Sequence, residues 1–278
     1  MGTYFTVKAY GASPYLLERV FKEAERISEK YSLEKKDSYI SRLNRGEVSL
    51  DEETRWLLDF ARGLWEASDG AFDPTVGRLK ILWGFNKKPH LPSPEAIKEA
   101  LKFVGFGRVK FVGGKLQSPG FVLDFSSFAK GYAVDRACEI LTKNGINSAL
   151  VDAGGDIRVI GGKPEGTPWK IGVKNPSGPG IIKVLSLRNL AVATSGDYEN
   201  FFIKDGVRYH HLIDPRTGYP SRWFKSVSVI AKTCMLADAL ATAIFVAGPE
   251  KGKEMAEKYH VMVFVAGQKG NLRELSGR

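Results

Sequence analysis

Hydrophobic and polar positions follow two different rhythms along this chain of 278 residues. Residues 4–10 alternate like a strand. From residue 14 to about 31, Leu16, Leu17, Val20, Phe21, Ala24 and Ile27 recur at helical spacing. Asp51 is placed to cap a second helix, with Trp56, Leu57, Phe60, Leu64 and Trp65 as its buried stripe and Gly70 after its end. Ser93-Pro94-Glu95 opens a short helix that reaches about Phe103. Gly113-Gly114 predicts a hairpin turn between two strands. The next helix begins at Ser126 or Ser127 and runs to about Lys143, where Asn144-Gly145 ends it. From 148 to 230 the pattern is rich in strands, at 149–151, 157–160, 169–173, 181–187, 191–194, 209–213 and 226–231. A helix over about 235–246, a shorter one after Pro249 and a strand at 261–265 complete the ordered part. Helices grouped among antiparallel-type strands predict an α+β fold. The expected architecture is a mixed or antiparallel sheet with flanking helices, in two lobes that make one unit over 1–278.

Composition fits that picture and narrows it. At 43% hydrophobic and 26% charged, the chain reads as a folded globular protein. No apolar run approaches the roughly 18 residues of a membrane-spanning helix. Met1-Gly2-Thr3-Tyr4-Phe5 lacks the basic and apolar regions of a signal peptide. The chain as given is therefore expected in the cytoplasm, or outside it as a trimmed form. Cys138 and Cys234 sit in apolar helical patterns and read as buried thiols. The net charge of +10 is dispersed, with Lys35-Lys36 and Lys87-Lys88 the only short doublets. It therefore predicts a solvated surface, not a nucleic-acid partner.

Four polar segments interrupt the apolar patterns. The first, Leu123-Asp124-Phe125-Ser126-Ser127-Phe128-Ala129-Lys130-Gly131-Tyr132, joins a strand to a helix start. Amides there favour an anion and Lys130 adds a point charge, although a capped helix with an exposed lysine fits equally. In the second, Asp152-Ala153-Gly154-Gly155-Asp156, two glycines allow a backbone close to a ligand. Its aspartates suit ribose or ribityl hydroxyls, ring N–H groups or a cation; a plain hairpin turn is the commoner meaning of such a segment. The third combines Ala193-Thr194-Ser195-Gly196-Asp197-Tyr198 with Tyr209-His210-His211-Leu212-Ile213-Asp214-Pro215-Arg216-Thr217-Gly218. Neighbouring strand residues face opposite ways, so only one of the two histidines can face a site, as a base for a hydroxyl or as a structural residue. In the fourth, Asp238 and Thr242 are four apart on an apolar helix, and their hard oxygens suit Mg²⁺. A dipole-stabilised Asp and a Thr bonded back to a carbonyl fit the same pattern. Asp73-Pro74-Thr75-Val76-Gly77 is weaker and reads as a capped turn; Phe72, Trp83 and Phe85 beside it read as core. No nucleophile elbow, P-loop, Rossmann fingerprint or zinc spacing occurs.

Taken in order, these segments resemble the FAD:protein FMN transferase family (ApbE). The resemblance also takes in Met1-Gly2-Thr3, Ser38-Tyr39-Ile40-Ser41-Arg42-Leu43-Asn44, Gly70-Ala71-Phe72-Asp73 and Leu82-Trp83-Gly84-Phe85, so it covers nearly the whole chain. It implies an enzyme that binds FAD with Mg²⁺ and moves the FMN moiety onto a Ser or Thr hydroxyl of an acceptor protein, releasing AMP. It places the metal on Asp238, Thr242 and the carbonyl of Ala129. It places the base on His211, with His210 a bystander. Flavin and nucleotide contacts fall at Met1, Asn44, Lys130, Asp152, Gly154, Gly155, Asp156, Thr194, Ser195 and Gly196. Two features depart from the family pattern: the sequence as given starts at the first strand motif, where many members carry a leader, and Ser126-Ser127-Phe128 replaces smaller residues. A Mg²⁺-dependent FAD pyrophosphatase and a non-catalytic FAD-binding protein are the alternative readings.

Overall fold

The computed structural model describes residues 2–85 and 87–275. Strand β1 (Phe5–Ala9) leads into helix α1 (Pro14–Lys30), where Ser13 caps the first turn by accepting the Leu16 N–H. Ser38 caps a short helix α2 (Tyr39–Asn44), and Asp51 caps α3 (Glu52–Ala67) as its position predicts. Another short helix, α4 (Gly77–Trp83), follows the turn 73–76 without a side-chain cap. Neither α2 nor α4 was expected, because six or seven residues give too few turns for a helical rhythm to emerge. Ser93 caps α5 (Pro94–Leu101), which stops short of Phe103.

The strands β2 (Phe111–Val112) and β3 (Lys115–Leu116) flank Gly113 and Gly114, whose φ angles of 57° and 77° are those of a tight hairpin. Helix α6 (Ala129–Lys143) begins two to three residues later than its serines suggest. Ser126 instead turns back onto Asp124, and Phe128 holds the N-cap position. The strand-rich half contains β4 (Ala149–Ala153), β5 (Asp156–Ile160), β6 (Trp169–Lys174), β7 (Ile181–Leu187) and β8 (Ala191–Gly196). It continues through β9 (Phe201–Lys204), β10 (Val207–His210) and β11 (Phe224–Ala231). The strand expected over 209–213 therefore ends at His210, and β9 pairs with it from the other side of a turn. Helices α7 (Cys234–Ala247) and α8 (Pro249–Lys258) precede β12 (Met262–Gly267). Order continues past 265 into β13 (Leu272–Glu274).

Seven strands form one sheet in the order β1-β4-β5-β8-β11-β12-β13, and every one of its ladders is antiparallel. The fold is α+β, as expected. Helices α6 and α7 pack on one face, with α1 outside α6. On the other face the hairpin β6–β7 buries Trp169, Ile171 and Leu187 against Val159, Val192 and Phe264. Helix α7 is buried nearly all round, which explains its almost continuous apolar sequence. Two stripe residues lie outside the core: Trp56 is 52% exposed, its ring 5.8 Å from that of Tyr132, and Phe21 is 43% exposed against Phe5. Both cover a neighbouring aromatic at the surface, which a helical rhythm cannot distinguish from full burial.

Candidate active site

A cavity of about 320 Å³ opens where β5 begins and β8 ends, beside α7. Its wall takes residues from both faces of the sheet. Along α7, Asp238, Thr242 and Val246 succeed one another at four-residue intervals, which puts them on one stripe facing the cavity. On β8 alternate residues point to opposite faces. Ser195 thus points toward α7, where its Oγ lies 3.1 Å from Thr242 Oγ1, whereas Thr194 Oγ1 reaches Ser228 Oγ at 2.7 Å. From the opposite face, β6 contributes Ile171, Gly172, Val173 and Lys174, with the Lys174 ammonium 4.8 Å from the ring centre of Tyr198.

Asp238 is almost fully buried, and its Oδ2 accepts the Gly131 N–H of α6 at 3.1 Å. That contact depends on the glycine, since a Cβ at position 131 would lie 2.4 Å from the Cys234 carbonyl oxygen. Desolvation and the nearby Asp156 carboxylate raise the Asp238 pKa well above the usual carboxylate range. Such a group gains most from a cation. Among the described residues no group of three or more His, Cys, Asp and Glu side chains could hold a metal. A cation at Asp238 would therefore complete its shell with hydroxyls, carbonyls, water or ligand phosphate. That donor set is hard and oxygen-only, so it fits Mg²⁺.

Lys130 lies on the first turn of α6 and lines the cavity, but its ammonium is bonded to Asp156 Oδ2 at 2.5 Å. Burial opposes the charge, yet Asp156 and Asp238 keep the ammonium protonated. Three of the amides at this helix start are already engaged within the protein. The Gly131 N–H goes to Asp238, and those of Phe128 and Ala129 both go to Phe125 O. Asp156 is turned inward onto Lys130, and Asp152 Oδ1 closes its own hairpin by accepting the Gly155 N–H at 2.8 Å. Neither aspartate is in the cavity wall. Instead Gly154 and Gly155, with φ of 64° and 98°, bring their backbone to it.

The two histidines separate as strand geometry requires. His210 is buried: its Nδ1 accepts the Leu212 N–H, its Nε2 sits 2.8 Å from Ser221 O, and the Phe245 ring packs against it. Both nitrogens are used, which makes it structural. His211 lies just past β10 and forms part of the cavity wall. Desolvation, reinforced by the charge of Lys80, pushes its imidazole down to about 3. Its Nδ1 lies 3.3 Å from Asn200 O. A carbonyl can only accept, so that bond assigns the proton to Nδ1 and leaves the Nε2 lone pair unprotonated.

The structure thus gathers Lys130, Gly154, Gly155, Thr194, Ser195, Gly196, His211, Asp238 and Thr242 around one space. Asn44 is elsewhere: its amide makes a paired bridge to the backbone of Leu123, at 3.0 Å to O and 2.8 Å from N. Ala129 heads α6 outside the wall. Met1 lies outside the described residues. Sequence patterns missed Lys80, which enters the cavity from α4, and Lys174; Tyr198 belongs to the third segment and also lines the cavity. The turn 73–77 carries more than its sequence suggested. Asp73 receives the N–H of Thr75 and of Phe106, and with Phe72 and Val76 it lines the cavity.

Known proteins share both the sequence pattern and the fold of this chain. Residues 1–265 match the ApbE family. A relative from Haemophilus influenzae named FAD:protein FMN transferase is 36% identical, covering 95% of this chain and 84% of its own. The solved ApbE protein of Thermotoga maritima superposes with a TM-score of 0.90 at 40% identity, covering 98% of this chain and 94% of the other. The flavinyl transferase ApbE of Pseudomonas stutzeri does so with a TM-score of 0.86 at 34% identity, covering 99% and 92%.

Proposed function

The chain belongs to the ApbE family, and from that premise we propose that it transfers the FMN moiety of FAD to an acceptor protein. The attacking group is a Ser or Thr hydroxyl, and AMP leaves. The observation that carries this reading is the convergence of His211, Asp238 and Thr242, from two distant segments, on one cavity. Asp238 and Thr242 would hold Mg²⁺, with Ser195 Oγ beside Thr242. When bound, that cation supplies neutralising charge for the pyrophosphate.

This chain's own residues account for the remainder. The neutral His211 Nε2 takes the proton of the acceptor hydroxyl as its oxygen bonds to the FMN phosphorus. The bond from that phosphorus to the bridging oxygen breaks, and the oxygen departs with AMP. Because Asn200 O holds Nδ1–H, the imidazole presents the correct nitrogen before substrate arrives. The glycine backbone at 154–155 and the apolar side chains of β6 supply a close, partly dry wall. Incubation with FAD, Mg²⁺ and an acceptor protein tests the reading by mass: acceptor carrying covalent FMN, with AMP released, is the expected result. Free FMN and AMP with unlabelled acceptor would overturn transfer in favour of hydrolysis.

A further inference from the structure

Lys80 is a cavity residue that no motif pointed to. It sits one turn into α4, and Gly77 lets that helix come close to 122–124: a Cβ at Gly77 would lie 2.7 Å from Val122 O and 3.2 Å from Asp124 Cβ. This approach brings the Lys80 ammonium to 2.8 Å from Asp124 Oδ2 and 2.6 Å from Ser126 Oγ. Ser126 in turn donates to Asp124, both from its N–H at 2.8 Å and from its hydroxyl at 3.0 Å. The result is a closed triangle in which no member needs to move to satisfy the others. The Lys80 side chain is only 12% exposed, and it lines the cavity.

An ammonium has three N–H donors. Asp124 and Ser126 take two of them. The same charge is felt at the two central groups of the cavity, opposing protonation of both His211 and Asp238. Lys80 therefore lies within electrostatic reach of the place where phosphorus chemistry would occur. Lys130 is likewise paired with a buried carboxylate, Asp156, at 2.5 Å.

We infer that Lys80 is a phosphate-binding residue of this site, held in place by Asp124 and Ser126 so that its third donor meets a phosphate oxygen of the bound dinucleotide. This rests on the reading of the cavity as an FAD site. It assigns the Asp124-Phe125-Ser126 turn a role that its departure from the family pattern left open: Ser126 is the hydroxyl that fixes the lysine.

Equilibrium binding of FAD and of riboflavin, which has no phosphate, tests the inference without any acceptor. In K80M the Kd for FAD should rise roughly tenfold to hundredfold, as for loss of a charge-assisted bond. The Kd for riboflavin should stay within about twofold of the unmodified protein, well below the loss of a single ordinary hydrogen bond. K80Q keeps a donor for Asp124 but no charge, and it should reproduce the selective loss with a near-normal melting temperature. Unchanged FAD affinity in a folded variant, or equal loss of FAD and riboflavin, would overturn the phosphate contact. Failure of the unmodified protein to bind FAD at all would instead overturn the functional reading on which it rests.

Discussion

At the scale of single residues, the site is governed by groups whose charge state is set before any ligand enters. Asp238 is the clearest. Its carboxyl is raised by burial and by Asp156, whereas a metal requires it ionised. Binding of Mg²⁺ should therefore release a proton, and affinity should rise with pH. Calorimetry in buffers of different ionisation enthalpy checks this, with D238N expected to lose both the proton release and the metal-induced rise in melting temperature. His211 leads to a flat profile instead. A histidine held down to about 3 is already neutral throughout the physiological range. Loss of its basic form would come only as pH falls toward that value. At saturating Mg²⁺, transfer should show no His211-dependent fall between pH 7.5 and 5.5. A tenfold loss centred near 6.5 that disappears in H211A would contradict this.

Elements explain how residues 107 positions apart come to share a hydrogen bond. Helices α6 and α7 touch at Gly131 and Cys234, and Asp135 strengthens the seam by accepting both the Cys234 and Met235 N–H groups at 2.8 Å. A methyl group at position 131 would force the two helices apart. G131A should cost about 1–3 kcal/mol of stability and also weaken Mg²⁺ binding, since Asp238 would lose its amide partner; chemical denaturation and metal titration measure the two effects. This seam also shows what was legible in the sequence. The apolar run of α7, its Asp238 and Thr242, and the hairpin signals at 113–114 and 154–155 could be read from spacing alone. The partners of those residues could not. Lys130 and Asp156 read as separate contacts, and their pairing with each other depends on β5 passing beside α6. Asn44 looked like a contact and is a brace on Leu123. Lys80 was invisible because α4 is too short for a rhythm and begins without a capping side chain.

Across the whole molecule, one antiparallel sheet separates helices from a hairpin, and the cavity lies where both faces can be reached from the strand ends. The +10 net charge is therefore a poor guide to the site. Two of the cavity's lysines already hold internal aspartates, Lys80 with Asp124 and Lys130 with Asp156. A lone anion entering this space can use only the donor that each such pair leaves, so by itself it gains little. A dinucleotide adds a ring, sugars and a metal-bridged pyrophosphate to the same encounter. Inorganic phosphate should accordingly be a weak competitor of FAD, with half-inhibition in the millimolar range or above, about 4 kcal/mol of binding or less; steady-state competition measures it. Inhibition by micromolar phosphate would mean that one of the two pairs opens at little cost. For an enzyme working amid abundant small phosphates, internal counter-ions of this kind act as a filter: the empty site stays unclogged, and occupancy is reserved for a ligand that offers more than its charge.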